Sequence, residues 1–399
     1  MSYQNTSQDP TTGARTVTLT QVKDSGGTAN GGVDTTGLAL AATVNVTPVN
    51  DAPTLTATAV GGTFTEGAGA ATGTAVSLFS GASISTIEAG QTVTSLTFTV
   101  GNVQNGSSEV INLDGTAISL VNGTGTTTTN GMTYNVTVSG GTATVVLTKA
   151  AGVSSGSVGT LINGMSYQNT SQDPTTGART VTLTQVKDSG GTANGGVDTT
   201  GLALAATVNV TPVNDAPTLT ATPATTTFVE DGTAVSLFSG ASVSTVEAGQ
   251  TVTSLTFTVG NVQNGSSEVI NLDGTAISLV NGTGTTTTNG MTYNVTVSGG
   301  TATVVLTKAA GVSSGSVGTL INGMTYQNTS QDPTTGARTV TLTQVKDSGG
   351  TANGGVDTTG LALAATVNVT PVNDAPTLTA TPATTTFVED GTAVSLFSG

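Results

Sequence analysis

Leu202-Ala203-Leu204-Ala205-Ala206-Thr207-Val208-Asn209-Val210-Thr211 runs directly into Pro212-Val213-Asn214-Asp215-Ala216-Pro217. Its apolar residues Leu202, Leu204, Ala206, Val208 and Val210 recur at every second position. A period of two is the signature of a strand with one buried face. The run that follows cannot prolong a ladder, because proline carries no N–H and Asn and Asp favour turns. One long strand therefore empties into a linker. The same alternation appears upstream and downstream. Val181 and Leu183 sit between threonines, and Leu255, Phe257 and Val259 alternate with Thr256 and Thr258. Met291, Tyr293, Val295 and Val297 alternate with polar neighbours, and Ser298-Gly299-Gly300 turns the chain back into Ala302, Val304 and Leu306. Asn-Gly pairs at Asn264, Asn281, Asn289 and Asn322 punctuate these runs, as tight turns with positive φ require. The one helix expected is short, near Ser313 to Leu320.

The whole pattern repeats. Met1-Ser2-Tyr3-Gln4-Asn5 returns at Met165-Ser166-Tyr167 and at Met324-Thr325-Tyr326. The offsets are 164 and then 159 residues. The difference falls after Glu66, where Gly67 to Gly73 replaces Asp231-Gly232. The expected organisation is residues 1–51 as the C-terminal part of a repeat, 52–215 and 216–374 as complete repeats, and 375–399 as the opening strand region of another. The window is out of phase with the repeat and is expected to be an excerpt of a longer array, with Met1 not the native start.

Composition removes whole classes of function. The 399 residues include 8 Lys or Arg and 23 Asp or Glu, for a net charge of −15, while the mean hydropathy is +0.14. Charged residues make up 8% of the chain against a usual quarter. With no Cys and no His, zinc fingers, haem ligation, disulfides, thiol nucleophiles and Ser-His-Asp triads are all excluded. Eight basic residues leave no electrostatic footprint for nucleic acid. No apolar run is long enough to span a membrane within this window.

About seven strands per repeat, each apolar on one face, must close against a second sheet. The expected fold is all-β, with tandem immunoglobulin-like or cadherin-like β-sandwich repeats. A β-solenoid is the alternative, but no rung-length period of roughly 20–30 residues runs inside the repeat. A repeat of 159 residues is large enough to bury its own core.

The hexapeptide Pro212-Val213-Asn214-Asp215-Ala216-Pro217 recurs at Pro48 to Pro53 and Pro371 to Pro376. It resembles the linker that ends bacterial cadherin-like domains. Met165 to Ser171 with Asp173-Pro174 resembles the penultimate region of those domains, and Thr227-Phe228-Val229-Glu230-Asp231-Gly232 resembles their opening strand. The resemblance covers the whole repeat in order. It implies a stalk in a very large bacterial surface or secreted protein of the repeats-in-toxin adhesin kind, often with calcium at domain junctions.

Calcium also has a direct chemical case, because it takes six to eight oxygen ligands from carboxylates, amides and backbone. The expected donors are Asn214 and Asp215 from the linker, Glu230 and Asp231 from the next opening strand, Glu247, and Asp188 from the preceding Lys187-Asp188-Ser189-Gly190-Gly191 turn. The corresponding residues are Asn50, Asp51, Glu66, Glu88 and Asp24 on one side and Asn373, Asp374, Glu389 and Asp390 on the other. Around Glu247 the sequence departs from the family, with Ser244, Thr245 and a single glutamate where an acidic pair is usual.

Other motifs carry no chemistry. Gly152-Val153-Ser154-Ser155-Gly156 fits the G-x-S-x-G pattern, but no histidine exists to act as base. Glu268 and Asp273 are a candidate carboxylate pair for glycoside hydrolysis, yet they stand five residues apart with no aromatic platform nearby. Lys187 and Lys308 read as exposed lysines rather than isopeptide donors. The resulting expectation is a non-enzymatic extracellular stalk, spacer or fibre segment of a bacterial surface adhesin or biofilm matrix protein. Neighbouring repeats would be its partners and calcium its junction ion. Two alternatives are a self-assembling filament or sheath subunit joined to other copies through β-strand contacts, and a module that binds cell-surface or matrix glycans.

Overall fold

The computed structural model describes residues 1–69 and 71–399; Ala70, inside the expected Gly67–Gly73 insertion, lies outside the described residues. The chain forms two compact units. One comprises Met1–Val213 with Ala352–Gly354, the other Asn214–Thr351 with Gly355–Gly399.

Within the second unit, a seven-stranded sheet has the order Thr225–Val229, Thr358–Thr370, Gly336–Asp347, Val252–Gly260, Thr301–Val312, Thr292–Ser298, Gly282–Thr285. A four-stranded sheet has the order Val235–Ser236, Thr325–Asn328, Glu268–Leu272, Thr275–Ser278. A separate pair joins Thr218–Pro223 to Phe238–Ser244. Neighbouring strands run antiparallel except at one edge. There Thr225–Val229 lies parallel to Thr358–Thr370, with Phe228 opposite Val369. Val252–Gly260 sits centrally, flanked by Thr301–Val312 and Gly336–Asp347.

One core fills the space between the sheets. Phe257, Val304, Leu342 and Val367 from the larger sheet pack with Ile270, Leu272, Ile277 and Tyr326 from the smaller. Phe257 and Val304 are among the residues that the period of two marked as inward-facing, and the neighbouring Thr256, Thr258 and Thr303 are only partly covered. The Phe228 and Tyr326 rings meet edge to face, 5.8 Å apart at 81°. The first unit repeats this arrangement with its own core and its own pair, Phe64 and Tyr167. Both units are all-β sandwiches of paired sheets, so the expected fold class holds and the solenoid does not.

The helix is real and slightly longer than expected. Ser314–Asn322 follows an N-cap, Ser313, whose side chain accepts from the Ser316 N–H at 3.2 Å. Asn322 Oδ1 accepts from the Ala241 N–H at 2.9 Å, tying the helix to the strand Phe238–Ser244. In the first unit the equivalent cap is Ser154, the would-be nucleophile of Gly152–Gly156, whose hydroxyl is engaged by Ser157.

In the first unit the hairpin Gly13–Lys23 with Thr35–Val46 precedes the complete repeat. Its Val17, Leu19 and Leu40 are exposed, whereas the equivalent Val181 and Leu183 are fully buried beneath the second sheet.

Candidate metal centre

In the second unit the incoming linker is tied to two separate parts of its own sandwich. The Asp215 N–H donates to Glu247 Oε1 at 2.6 Å. Asn214 Nδ2 donates to Asp347 Oδ1 at 3.2 Å and to the Val356 carbonyl at 2.7 Å, while its own carbonyl accepts from the Val356 N–H at 2.9 Å. Asn214 Oδ1 accepts from Gln250 Nε2 at 2.7 Å. Asn214, Asp215, Glu247 and Asp347 are all buried. The first unit repeats the arrangement on Asn50, Asp51, Glu88, Gln91, Asp188 and Val197.

Local sequence sets up each member. Asp347 closes the strand Gly336–Asp347 and spends Oδ1 on the Gly349 N–H at 2.9 Å. Gly349 must be glycine, since a Cβ there would stand 1.7 Å from Asn214 Oδ1. Glu247 follows Val246, a β-branched residue at φ 66. The Glu247 N–H donates to the Thr245 carbonyl at 2.8 Å, closing a three-residue turn around that valine. Ile87 holds the same conformation before Glu88 in the first unit, at φ 67. A positive φ at a β-branched residue costs energy and is found where a site demands it.

The electrostatics of the cluster are unfavourable as they stand. Glu247 Oε2, Asp347 Oδ2 and Gln250 Oε1 are buried without a hydrogen-bond partner, and so are Glu88 Oε2, Asp188 Oδ2 and Gln91 Oε1. Burial pushes the Glu247 carboxyl above the ordinary carboxylate range, and the nearby charges of Asp215 and Asp347 push it further. Burial likewise raises Asp347, with Asp357 adding to the effect. An unpaired buried carboxylate costs several kcal/mol in general. Among the described residues, no group of three or more acidic side chains is close enough to hold a metal ion by itself. The remaining donors would have to be amide and carbonyl oxygens, which calcium accepts and softer metals do not favour.

Several expected donors stand elsewhere. Glu230 follows the strand Thr225–Val229, and its N–H donates to the Thr370 carbonyl at 3.0 Å. Asn214 meets Val356, just before the strand Thr358–Thr370 begins. That strand spans roughly 40 Å at ~3.3 Å per residue, so Glu230 and Asn214 occupy opposite ends of one unit. Glu230 Oε2 accepts from the Val372 N–H at 2.7 Å, on the outgoing linker. Glu66 does the same with Val213 at 2.9 Å in the first unit. Asp231 is exposed and accepts from Gln331 Nε2 at 3.0 Å. Asp188 accepts from Asn50 Nδ2 at 3.2 Å in its own unit. Asp24, Asn373, Asp374, Glu389 and Asp390 are exposed. The sequence reading overlooked Asp347, recoverable as the copy of Asp188, and the glutamines Gln91 and Gln250, which no acidic pattern singles out.

The other acidic pair is structural. Glu268 forms a buried ion pair with Arg338 at 2.9 Å. Asp273 accepts from Thr286 Oγ1 at 2.5 Å and from Asn289 N at 3.0 Å, fixing a turn. Lys308 donates to the Asn289 carbonyl at 2.5 Å. Among the described residues no helix is long and apolar enough to cross a membrane.

No family model matches the chain, and no curated protein matches it. Two solved structures show weak likeness. The CupB6 tip adhesin from Pseudomonas aeruginosa is 10% identical over 81% of this chain and 100% of that one, with a TM-score of 0.20. Drosophila N-cadherin EC1-4 is 12% identical over 86% of this chain and 56% of that one, with a TM-score of 0.16. At such scores neither likeness bears on function, which rests on the linker cluster itself.

Proposed function

We propose that this chain is a non-enzymatic extracellular spacer, a stalk or fibre segment of a bacterial surface adhesin or matrix protein, whose linkers are stiffened by calcium. One observation carries the reading. Both units bury two carboxylate oxygens without partners beside the linker aspartate, Glu88 and Asp188 in one and Glu247 and Asp347 in the other. A divalent cation would turn that repulsion into attraction. Glu247 and Asp347 would supply its charge, with amide oxygen from Gln250. When bound, the ion would lash the linker to its own sandwich and so reduce bending between successive repeats. Near-identical copies suit this role, since added length serves a spacer and adds little to an enzyme. The sparse, net-negative surface keeps such an array soluble with modest self-repulsion.

The test is metal analysis of the full chain, together with thermal melts in excess calcium and in chelator. Bound calcium at about one ion per complete unit, released by chelator with a lower melting temperature, supports the reading. A chain that takes up no calcium, with superimposable melts, overturns the ion. Electron micrographs of isolated rods support a spacer, and ordered helical polymers would replace it with a filament subunit.

A further inference from the structure

Eleven Asn-Gly pairs punctuate the sequence. Such a pair is chemically labile, because glycine has no Cβ to shield its amide. The glycine nitrogen attacks the asparagine side-chain carbonyl carbon. A C–N bond forms, the C–NH2 bond breaks, and ammonia leaves carrying the displaced amide proton. Water then opens the cyclic imide to aspartate or isoaspartate. Side chains held by hydrogen bonds cannot turn to meet that nitrogen.

In the complete repeat of the first unit, four of the five pairs are held. Asn105 Oδ1 accepts from Asn169 Nδ2 and from the Thr175 N–H, both at 3.0 Å. Asn122 Oδ1 accepts from the Val138 N–H at 2.6 Å. Asn130 Nδ2 donates to Asp114 Oδ1 at 2.5 Å. Asn163 Oδ1 accepts from the Ala82 N–H at 2.8 Å. The fifth, Asn194, is exposed at φ 56 and ψ 25, and among the described residues no hydrogen bond reaches its side chain. Its copies Asn30 and Asn353 are likewise exposed, at φ 57 and 55.

Asn194 lies in the loop that grips the linker. Val197 exchanges two hydrogen bonds with Asn50, its N–H to the Asn50 carbonyl at 2.9 Å and its carbonyl from Asn50 Nδ2 at 2.6 Å. The Gly196 N–H reaches back over Asn194 to the Ala193 carbonyl at 3.0 Å. A Cβ on Gly196 would stand 3.0 Å from Asn50 Cβ, so loop and linker are already close. We infer that Asn194, with its copies Asn30 and Asn353, is a spontaneous deamidation site, and that its conversion to isoaspartate loosens the grip on the linker. Isoaspartate inserts a methylene into the main chain inside that closed turn. It also adds a carboxylate to a loop that already carries Asp188 and Asp198 against one lysine, Lys187. Each complete repeat thus holds one labile amide at the place where its linker is fastened.

The experiment ages the purified full chain at mildly alkaline pH and maps amide loss by peptide mass spectrometry. Hydrogen exchange at the Val197 amide is followed in fresh and aged samples and in Asn194→Ser. Amide loss should concentrate at Asn30, Asn194 and Asn353, with Val197 exchanging about tenfold faster in the isoaspartate fraction, as loss of a hydrogen bond implies. Aged Asn194→Ser should keep its Val197 protection. Amide loss spread evenly over all the Asn-Gly pairs overturns the assignment of the site. Conversion at Asn194 with unchanged Val197 exchange overturns the loosening.

Discussion

Arg338 and Glu268, both fully buried, meet at 2.9 Å between the two sheets of the second unit. Glu268 also accepts from the N–H groups of Gln263 and Asn264, each at 2.9 Å. Arg338 further donates to the Thr334 carbonyl at 3.0 Å. The pair thus holds two loops to the sandwich. Arg338→Met should cost about 3–5 kcal/mol, because it strands a buried carboxylate. Arg338→Met with Glu268→Leu should recover much of that loss. Urea unfolding of the second unit's transition checks both, and a single variant as stable as the parent would refute the strength assigned to this pair.

Glu247 offers a sign reversal. In chelator its buried charge opposes those of Asp215 and Asp347. Glu247→Gln should therefore be at least as stable as the parent without calcium and markedly less responsive to it. Paired melts, with calcium and with chelator, read both effects. A variant that still gains the parent's full shift with calcium would remove Glu247 from the cluster.

Val246 sits at φ 66 and is 36% exposed, so truncation gives up part of its apolar burial. Strain of this kind is worth ~1–3 kcal/mol, while glycine adds unfolded-state entropy of about 0.4–1 kcal/mol. Strain relief should offset the lost burial and the added entropy, leaving Val246→Gly within about 1 kcal/mol of the parent. Denaturant midpoints measure it, and a clear loss of stability would mean the valine side chain matters more than its φ.

Acid should weaken the loop that grips the first linker. A hydrogen bond from Thr199, and then the Lys187 ammonium 3.1 Å away, hold the Asp198 carboxyl below its ordinary value of 3.8. A depressed folded-state value means stability that is present above the ordinary value and lost as pH falls through the folded one. The exposed lysine keeps the effect small. Lys187→Met should lose less stability than the parent over that acid window, read from melts at stepped pH. Parallel profiles would show that the lysine contributes nothing.

Much of the fold was legible because its signals are local. Leu202 to Val210 alternates, and Leu204, Ala206 and Val208 do pair with the neighbouring strand that contains Val181 and Leu183. A short helix was expected near Ser313 to Leu320, and glycines after asparagines marked turns. The site was legible only in part. The linker residues Asn214 and Asp215 and the single acid Glu247 were visible as polar breaks between apolar runs. Gln250 was not, since an amide in an acidic neighbourhood carries no pattern of its own. The strained turn at Val246 was not either, because nothing local predicts a valine at positive φ.

By itself, the sequence determined that the chain is a repeated β-sandwich, that it contains no cysteine or histidine, and that acids gather around a recurring linker. Only the tertiary structure decided which acids meet. Asn50 bonds Asp188 across 138 residues of chain, while Glu230 is carried to the far end of its own unit by a parallel pairing with Thr358–Thr370. The reason is physical. Periodicity specifies which face of a strand is buried, but the partner and direction of each strand are set by how both sheets close over one core. A single long strand is enough to separate Glu230 from Asp215, which stands 15 residues before it in the sequence.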